Sequence, residues 1–252
     1  MKILWWLGLV AAPLVLIGIE LFHPEHFTAD PGMAEFLSKP EPYDPRYVAL
    51  AYPGPGWWFT LHMIQTPMVA LVAVGLWLLV RPIGDGDGRL AVALAWLSRA
   101  ATMVFLVYYT ALDSIGGTGL GRSLLDLEAL QANGRLTLEG AAGAALLLDT
   151  VWVDPWVGGV GSLVSEAGSF AVLAAAVFAA TALFLTRKAA LPALVALLAF
   201  GWQLETSHAS PHGPIAFALL IVSALWIRWS QRNSAGLTDA AARRPSRRFA
   251  SR

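Results

Sequence analysis

Cysteine is absent from the chain of 252 residues, which excludes disulfide bonds, thiolate metal ligands and cysteine nucleophiles. Any bound metal would therefore be held by nitrogen and oxygen atoms. Charged residues are also scarce, at 13% of the chain against the roughly 25% of an ordinary soluble domain. Hydrophobic residues reach 57% and the mean hydropathy is +0.60. This composition predicts an integral membrane protein, and we expect it in a bacterial cytoplasmic membrane.

The sequence also lacks the motifs of nucleotide-binding and nucleic-acid-binding proteins. It has no P-loop, no dinucleotide-binding fingerprint, no internal repeat and no basic stripe with interleaved aromatic residues. Nucleic acid is therefore not an expected partner, whereas membrane lipid and a lipid-soluble small molecule are.

Six segments are long and apolar enough to cross a bilayer as helices, which takes about 20 mostly apolar residues. They are Ile3–Phe22, Trp57–Val80, Leu90–Leu112, Phe170–Thr186, Leu191–Ser207 and His212–Trp229. The last segment has the shortest uninterrupted apolar run. To span the membrane it has to include Arg228, whose side chain must extend its charge toward the headgroups. We predict an all-α, polytopic fold with six transmembrane helices in residues 1–232, followed by a disordered basic tail over 233–252.

Basic residues lie mostly on one side of this topology. If the N-terminus is cytoplasmic, twelve of the 17 lysines and arginines fall inside, four fall outside, and Arg99 lies within the membrane. An excess of Lys and Arg marks the cytoplasmic loops of membrane proteins. We therefore expect both ends of the chain in the cytoplasm.

Two connections on the outer side are long, over about 23–56 and 115–169. Loops of this length between helices are usually functional or act as lids. The second contains the apolar stretch Leu136–Trp156, which we interpret as a helix that lies on the outer surface or re-enters the membrane. We expect this loop to fold over the outer ends of the helices.

Histidine and acidic side chains gather at these outer ends. All the histidines fall there: His23, His26, His62, His208 and His212. Four acids fall at the same level: Glu20, Asp113, Glu166 and Glu205. An unpaired ionisable side chain within the hydrocarbon costs on the order of 2.5 kcal/mol or more, so a paired or functional role is the default for Glu20 and His62. His26 and Glu166 also fit the headgroup layer as plain interfacial residues.

Two Glu-x-x-His pairs occur in this group, Glu20 with His23 and Glu205 with His208. Positions i and i+3 share a helix face, so each pair is able to present a carboxylate and an imidazole to one metal site. The spacing is similar to that in the ferritin-like di-iron bundles, which add one carboxylate from each of two further helices. That resemblance implies the same part here for Asp113 and Glu166.

Imidazoles alone give a second arrangement. His62, His208 and His212 would leave a fourth position open, as catalytic zinc and copper sites do. This is similar to the histidine arrangement of the membrane hydrolases that include adiponectin receptors and alkaline ceramidases, but Pro211 interrupts the spacing and the site would face outward from six helices. The predicted metal ligands are Glu20, His23, His62, Glu205, His208 and His212, with Asp113, Glu166, His26 and Gln65 as further candidates.

Two more polar residues lie within the predicted spans. Arg99, near the middle of the third helix, needs a carboxylate, a carbonyl, a lipid phosphate or water as its partner. Gln65 is three residues from His62 on the same helix face, and we expect it to orient the imidazole.

These features predict a membrane metalloprotein with an outward-facing iron, zinc or copper site, acting as an oxidoreductase or hydrolase on a lipid-soluble substrate. One alternative is a carrier of haem b or a quinone-linked electron carrier, with two histidines as axial ligands. A second is a transporter or non-catalytic membrane partner in which Arg99, Glu20 and His62 line a pathway.

Overall fold

The computed structural model describes residues 1–23 and 55–242, and this part of the chain is helical and contains no strand. Its helices are α1 (Lys2–Trp6), α2 (Ala12–Glu20), α3 (Pro55–Leu79), α4 (Arg89–Leu112), α5 (Leu120–Ala132), α6 (Leu138–Trp152), α7 (Leu163–Leu185), α8 (Leu191–Thr206) and α9 (His212–Ala242). Two π-helical turns join helices into continuous stretches: Leu7–Ala11 between α1 and α2, and Asp113–Gly119 between α4 and α5. The predicted all-α class is confirmed.

Five helical stretches are long and apolar enough to cross a membrane. They are Lys2–Glu20, Gly56–Leu79, Arg89–Ala132, Leu163–Leu185 and His212–Arg232. The remaining predicted span corresponds to α8, an apolar helix of 16 residues. At 1.5 Å per residue α8 is about 24 Å long, shorter than the roughly 30 Å hydrocarbon layer. The described residues therefore support a membrane protein with five spanning helices by length, where the sequence predicts six.

The third predicted helix is longer than expected. The sequence predicts its end at Leu112, but the helix continues through the π turn to Ala132 as one stretch of 44 residues. The glycines at 116, 117 and 119 are typical of a loop. Here the backbone stays helical because the wider turn keeps its hydrogen bonds, including one from the N–H of Leu120 to the carbonyl of Ile115. Much of the predicted outer loop over 115–169 is therefore helix, including α6 in the segment predicted to be helical.

Small residues let α4 and α7 pack closely along their length. The face of α7 toward the core carries Ala171, Ala175, Ala179 and Ala182, all of them buried. The hydroxyl of Ser98 in α4 donates to the backbone carbonyl of Ala175 at 2.9 Å. Small side chains and a buried hydroxyl at a helix interface are typical of helix pairs in membranes, where close backbone contact replaces the hydrophobic driving force.

A glycine pair sets the distance between the first helix and α3. A Cβ atom on Gly8 would lie 2.8 Å from the backbone nitrogen of Gly75, and one on Gly75 would lie 2.8 Å from the carbonyl carbon of Gly8. Neither position therefore accepts a side chain without a shift of the backbone. This contact holds the first helical stretch against α3 and so fixes the position of its end at Glu20.

Arg99 finds its partners in a carbonyl and aromatic rings. Its guanidinium donates to the carbonyl of Val80 at 3.3 Å and lies over the ring of Trp96, 4.7 Å from the centroid. Trp77 lies 5.8 Å away. Cation–π contacts of this kind contribute about 0.5–2 kcal/mol each. Because Val80 follows the far end of α3 from the histidines, this arrangement separates Arg99 from the predicted pathway along Glu20 and His62.

The last described helix is longer than the sequence predicts. Helix α9 continues to Ala242, through the first part of the segment predicted as a disordered tail. Residues 24–54, which include His26, and residues 243–252 lie outside the described residues.

Candidate functional site

Three histidine rings from separate helix ends meet at one end of the bundle. His23 follows α2, His62 lies near the start of α3, and His208 follows α8. The ring centroid of His23 is 5.3 Å from that of His62 and 4.8 Å from that of His208. Both pairs are edge to face, a geometry that aromatic rings prefer. Three of the predicted ligands, far apart in the sequence, are thus neighbours in the fold.

The ring of His62 is held in one orientation by its own helix. Its Nδ1 lies 2.7 Å from the carbonyl oxygen of Trp58, one turn earlier. A carbonyl only accepts hydrogen bonds, so Nδ1 carries the proton and Nε2 presents a lone pair. The indole of Trp58 in turn donates to the carbonyls of Gly116 and Gly117 in the π turn, at 3.1 Å each. This is the tautomer in which Nε2 is available as a metal ligand or proton acceptor.

A cavity of about 510 Å³ opens beside these rings. Its wall includes the three histidines and also Asp113 and His212. Its volume lies within the range of sites for small molecules. The π turn forms one side of the cavity and the turn between α8 and α9 forms another, so the helix ends bring titratable groups to a space that a ligand can enter.

Two buried carboxyl groups adjoin the histidines. Glu20 is 0% exposed and Asp113 is 1% exposed, and the two lie close enough to repel each other. Asp113 accepts a hydrogen bond from the hydroxyl of Thr66 at 2.9 Å, whereas neither carboxyl oxygen of Glu20 has a hydrogen-bond partner in the described part of the chain. Among the residues described, no lysine or arginine forms an ion pair with either group. Because an unpaired buried charge is costly, each group requires a proton or a cation.

Tyr109 extends this polar cluster deeper into the bundle. Its hydroxyl accepts a hydrogen bond from the side-chain amide of Gln65, and its ring lies 5.7 Å from that of His208. Tyr109 is buried, and Gln65 is 0% exposed. The prediction that Gln65 orients His62 is therefore wrong, because the amide points to Tyr109 and the carbonyl of Trp58 fixes the imidazole.

Helix α6 contributes a tryptophan to the rim of the cavity. The ring of Trp152 lies 6.0 Å from that of Trp58, and it packs so closely on the backbone of Gly159 that a Cβ atom there would be 2.5 Å from the indole. A turn follows in which the side chain of Asp154 accepts hydrogen bonds from the backbone N–H groups of Trp156 and Val157 at 2.8 and 2.9 Å. The segment predicted to fold over the helix ends contacts them through Trp152.

His208 lies outside the spanning helices, in the turn after α8. Burial, together with the neighbouring imidazoles of His23 and His62, lowers the pKa of His208 well below its ordinary range. The ring is therefore neutral at physiological pH, which is the form that binds metals. Its remaining exposed surface faces the cavity, which it helps to line.

Among the described residues, the other predicted ligands do not contact the three histidine rings as these rings contact one another, and two of them do not line the cavity. Glu205 is half-buried and does not line the cavity, and Glu166 is exposed in the first turn of α7. His212 lines the cavity, where its Nδ1 lies 2.7 Å from the side-chain oxygen of Gln203. Helix α8 ends at Thr206, and the next residue is extended. The Glu205 and His208 side chains therefore do not share a helix face, which the Glu-x-x-His prediction requires.

The donor atoms of these residues do not converge on one point as a bound metal requires. Within the described residues, no group of three or more His, Asp or Glu side chains is arranged to hold a metal ion. The rings of His23, His62 and His208 are neighbours, but three of their nitrogen atoms do not aim at a common centre.

Comparison with known protein families, curated proteins and solved structures finds no match to this chain.

Proposed function

We propose that the chain is a membrane-embedded metalloprotein that holds a metal ion between His23, His62 and His208, after rotation of these side chains toward it, and hydrolyses a lipid-soluble substrate. One observation carries the proposal: three imidazoles and the buried Asp113 line one cavity, the buried Glu20 lies near Asp113, and neither carboxyl group has a lysine or arginine partner in the described structure. Neutral imidazoles and carboxylates without a counter-charge form a donor set that favours a divalent cation.

The side chains suit hydrolysis. A bound metal would act as a Lewis acid toward a carbonyl or phosphoryl group in the cavity. Asp113, on the cavity wall, is suited to accept the proton of an attacking water, with Glu20 behind it. The water oxygen forms the new bond to the electrophilic centre, and the leaving group departs with a proton. If the metal is iron or copper, the same ligands suit an oxidoreductase.

The same geometry bears on two alternatives, a haem b carrier and a site that binds protons. The touching imidazole rings leave little room between them for a macrocycle, so the geometry favours a metal ion over haem b. A site that binds protons without a metal is the second candidate. It is favoured by the donor atoms that do not converge and by the cluster of three buried polar groups, Asp113, Glu20 and Tyr109. Such a site suits a proton-coupled transporter.

We also infer that the cavity faces outward, with α8 as a sixth, short span and both chain ends in the cytoplasm of a bacterial cell. Basic side chains at the opposite end of the helices support this orientation, among them Lys2, Arg81, Lys188 and Arg228.

Metal analysis tests the proposal. We expect protein purified in detergent without chelator to contain stoichiometric metal, and His62→Ala and His208→Ala to lose most of it. Glu205→Ala is the matched control, because Glu205 is near His208 in the sequence but does not line the cavity. Equal metal content in all three variants would show that the ion binds elsewhere.

Absorption spectra of the same samples separate the alternatives. A colourless protein with zinc supports the hydrolase, whereas a Soret band would replace it with haem. A wild-type protein with neither metal nor haem would overturn the proposal and favour the proton-binding transporter.

A further inference from the structure

A second cavity, of about 630 Å³, lies at the end of the helices opposite to the histidines. It is formed by the start of α1, the turn after α3 and the part of α9 near Arg228 and Arg232. Four basic side chains line it: Lys2, Arg81, Arg228 and Arg232. Among the residues that the structure describes, no aspartate or glutamate belongs to its wall. We refer to it as the basic cavity.

The basic cavity combines these charges with an apolar wall. Arg228 lies over the ring of Trp5, 4.4 Å from the centroid, and is 5.2 Å from that of Trp6. Its Nε atom is buried and lacks a hydrogen-bond partner in the described structure. Leu79 and Ile227, both buried, form part of the wall. Stacking on the indole fixes the orientation of the guanidinium of Arg228, which lines the cavity.

Four like charges, on the start of α1, the turn after α3 and one face of α9, repel one another unless an anion joins them. A phosphate group is suitable, because its oxygen atoms accept hydrogen bonds from several arginines at once. The cavity lies beside the Lys2 end of the span Lys2–Glu20 and the Leu79 end of the span Gly56–Leu79. The ends of membrane spans lie at the level of the lipid headgroups. Basic pockets between helices on the cytoplasmic side of a membrane bind the headgroups of anionic lipids.

We propose that the basic cavity binds the phosphodiester headgroup of an anionic phospholipid. The basic side chains contact the phosphate, and the acyl chains leave along the apolar side chains of α3 and α9. Free phosphate offers the same charge, but it makes no use of the apolar wall. This site is separate from the histidine cavity and does not depend on the function proposed for that cavity.

Lipid titration of the purified, delipidated full-length protein tests this site. Phosphatidylglycerol should raise the temperature of unfolding and remain bound in native mass spectrometry, whereas phosphatidylcholine and inorganic phosphate should do neither. The test variant carries Lys2→Gln, Arg81→Gln and Arg232→Gln. These residues are exposed, so the fold is expected to tolerate the changes. We expect its apparent affinity for phosphatidylglycerol to fall by about tenfold or more.

The matched control carries the same change of charge at exposed positions outside the basic cavity: Arg89→Gln, Arg135→Gln and Arg187→Gln. It should bind phosphatidylglycerol as the wild type does. Equal affinity of the test and control variants would overturn the proposal. So would equal stabilisation by phosphatidylcholine, which removes the role of charge, or by inorganic phosphate, which removes the role of the lipid.

Discussion

Gly117 leaves the space that the imidazole of His62 occupies. A Cβ atom at position 117 would lie 2.5 Å from Cγ of His62 and 2.8 Å from its Cβ. Helix α5, which follows the π turn directly, makes a second close approach at Gly121, where a Cβ atom would lie 3.0 Å from the Cα of Phe59. The π turn is therefore packed directly on the start of α3, and the position of His62 depends on a residue that has no side chain.

Gly117→Ala should displace His62 without removing a candidate ligand. The contact involves Cβ of His62 as well as its ring, so a change of rotamer cannot relieve it. We expect a loss of stability of about 1–3 kcal/mol, measured by thermal unfolding, and reduced metal content. Gly143→Ala in α6 is the control, because a Cβ atom added there would have no neighbour within 4 Å in the described part of the chain. If both variants retain wild-type stability and metal, the close contact does not position His62.

The sequence is sufficient to predict that histidines gather at one end of the helices. Hydropathy gives the helices, and the order of the helices along the chain sends His62 and His208 to the same side. The prediction fails where it uses helix periodicity beyond a helix end. Glu205 and His208 are three residues apart, but α8 stops at Thr206, and the position of that end depends on packing that the spacing does not encode.

Spacing does not identify Tyr109, and it gives Asp113 as a candidate without explaining its burial. Tyr109 resembles the several apolar positions around it in α4, and its contact with Gln65 joins residues 44 positions apart. Asp113 is buried because the helix continues beyond it as a π turn, whereas its glycine-rich sequence is typical of a loop. Turns of π-helix often occur at functional sites, but the glycine-rich sequence does not reveal that a π turn forms here.

Gly8→Ala should separate the first helix from α3. The methyl group would meet the backbone of Gly75, at 2.8 Å from its nitrogen, and backbone cannot move aside as a flexible side chain can. We expect a loss of about 1–3 kcal/mol in thermal unfolding. Gly18→Ala, in the same helical stretch with no described atom within 4 Å, should be neutral or slightly stabilising. Similar unfolding temperatures for the two variants would contradict this account of the packing.

Asp87 and Lys188 join two turns at the end opposite to the histidines. The ammonium of Lys188 lies 2.6 Å from the carboxylate of Asp87 and also donates to the carbonyl of Pro82 at 2.6 Å. The hydrogen bond from Lys188, with one from the backbone N–H of Gly84, lowers the pKa of Asp87. A lowered carboxyl pKa stabilises the fold at pH values above the unfolded pKa of about 3.9, and this contribution is lost as the pH falls through the folded pKa.

Asp87→Asn should therefore lower the unfolding temperature at neutral pH and make the decline below about pH 4 shallower than in the wild type. Both partners are partly exposed, so the change should be small. Asp85→Asn, in the same turn, should change neither property. Parallel pH profiles for Asp87→Asn and the wild type would show that the ion pair contributes nothing to stability.

Cysteine labelling tests the orientation, because the chain has no cysteine of its own. Asp85→Cys lies in the exposed turn between α3 and α4, and Asn133→Cys lies in the exposed turn after α5. In intact cells, an impermeant maleimide should label Asn133→Cys only, and Asp85→Cys should react after the membrane is opened. Labelling of both positions in intact cells would contradict the proposed topology.

Trp152→Ala should loosen the segment that borders the histidine cavity. The indole contacts both Trp58 and the backbone of Gly159, so its removal leaves the turn after α6 without its anchor. We expect faster cleavage within residues 153–162 by protease added to the folded protein in detergent. The loss of stability should stay below the roughly 3–5 kcal/mol of a fully buried tryptophan, because Trp152 is only half-buried. Trp156→Ala is the control, since that ring is 66% exposed and should leave the cleavage rate unchanged. Equal cleavage rates for the two variants would mean that Trp152 does not hold this segment on the helix ends.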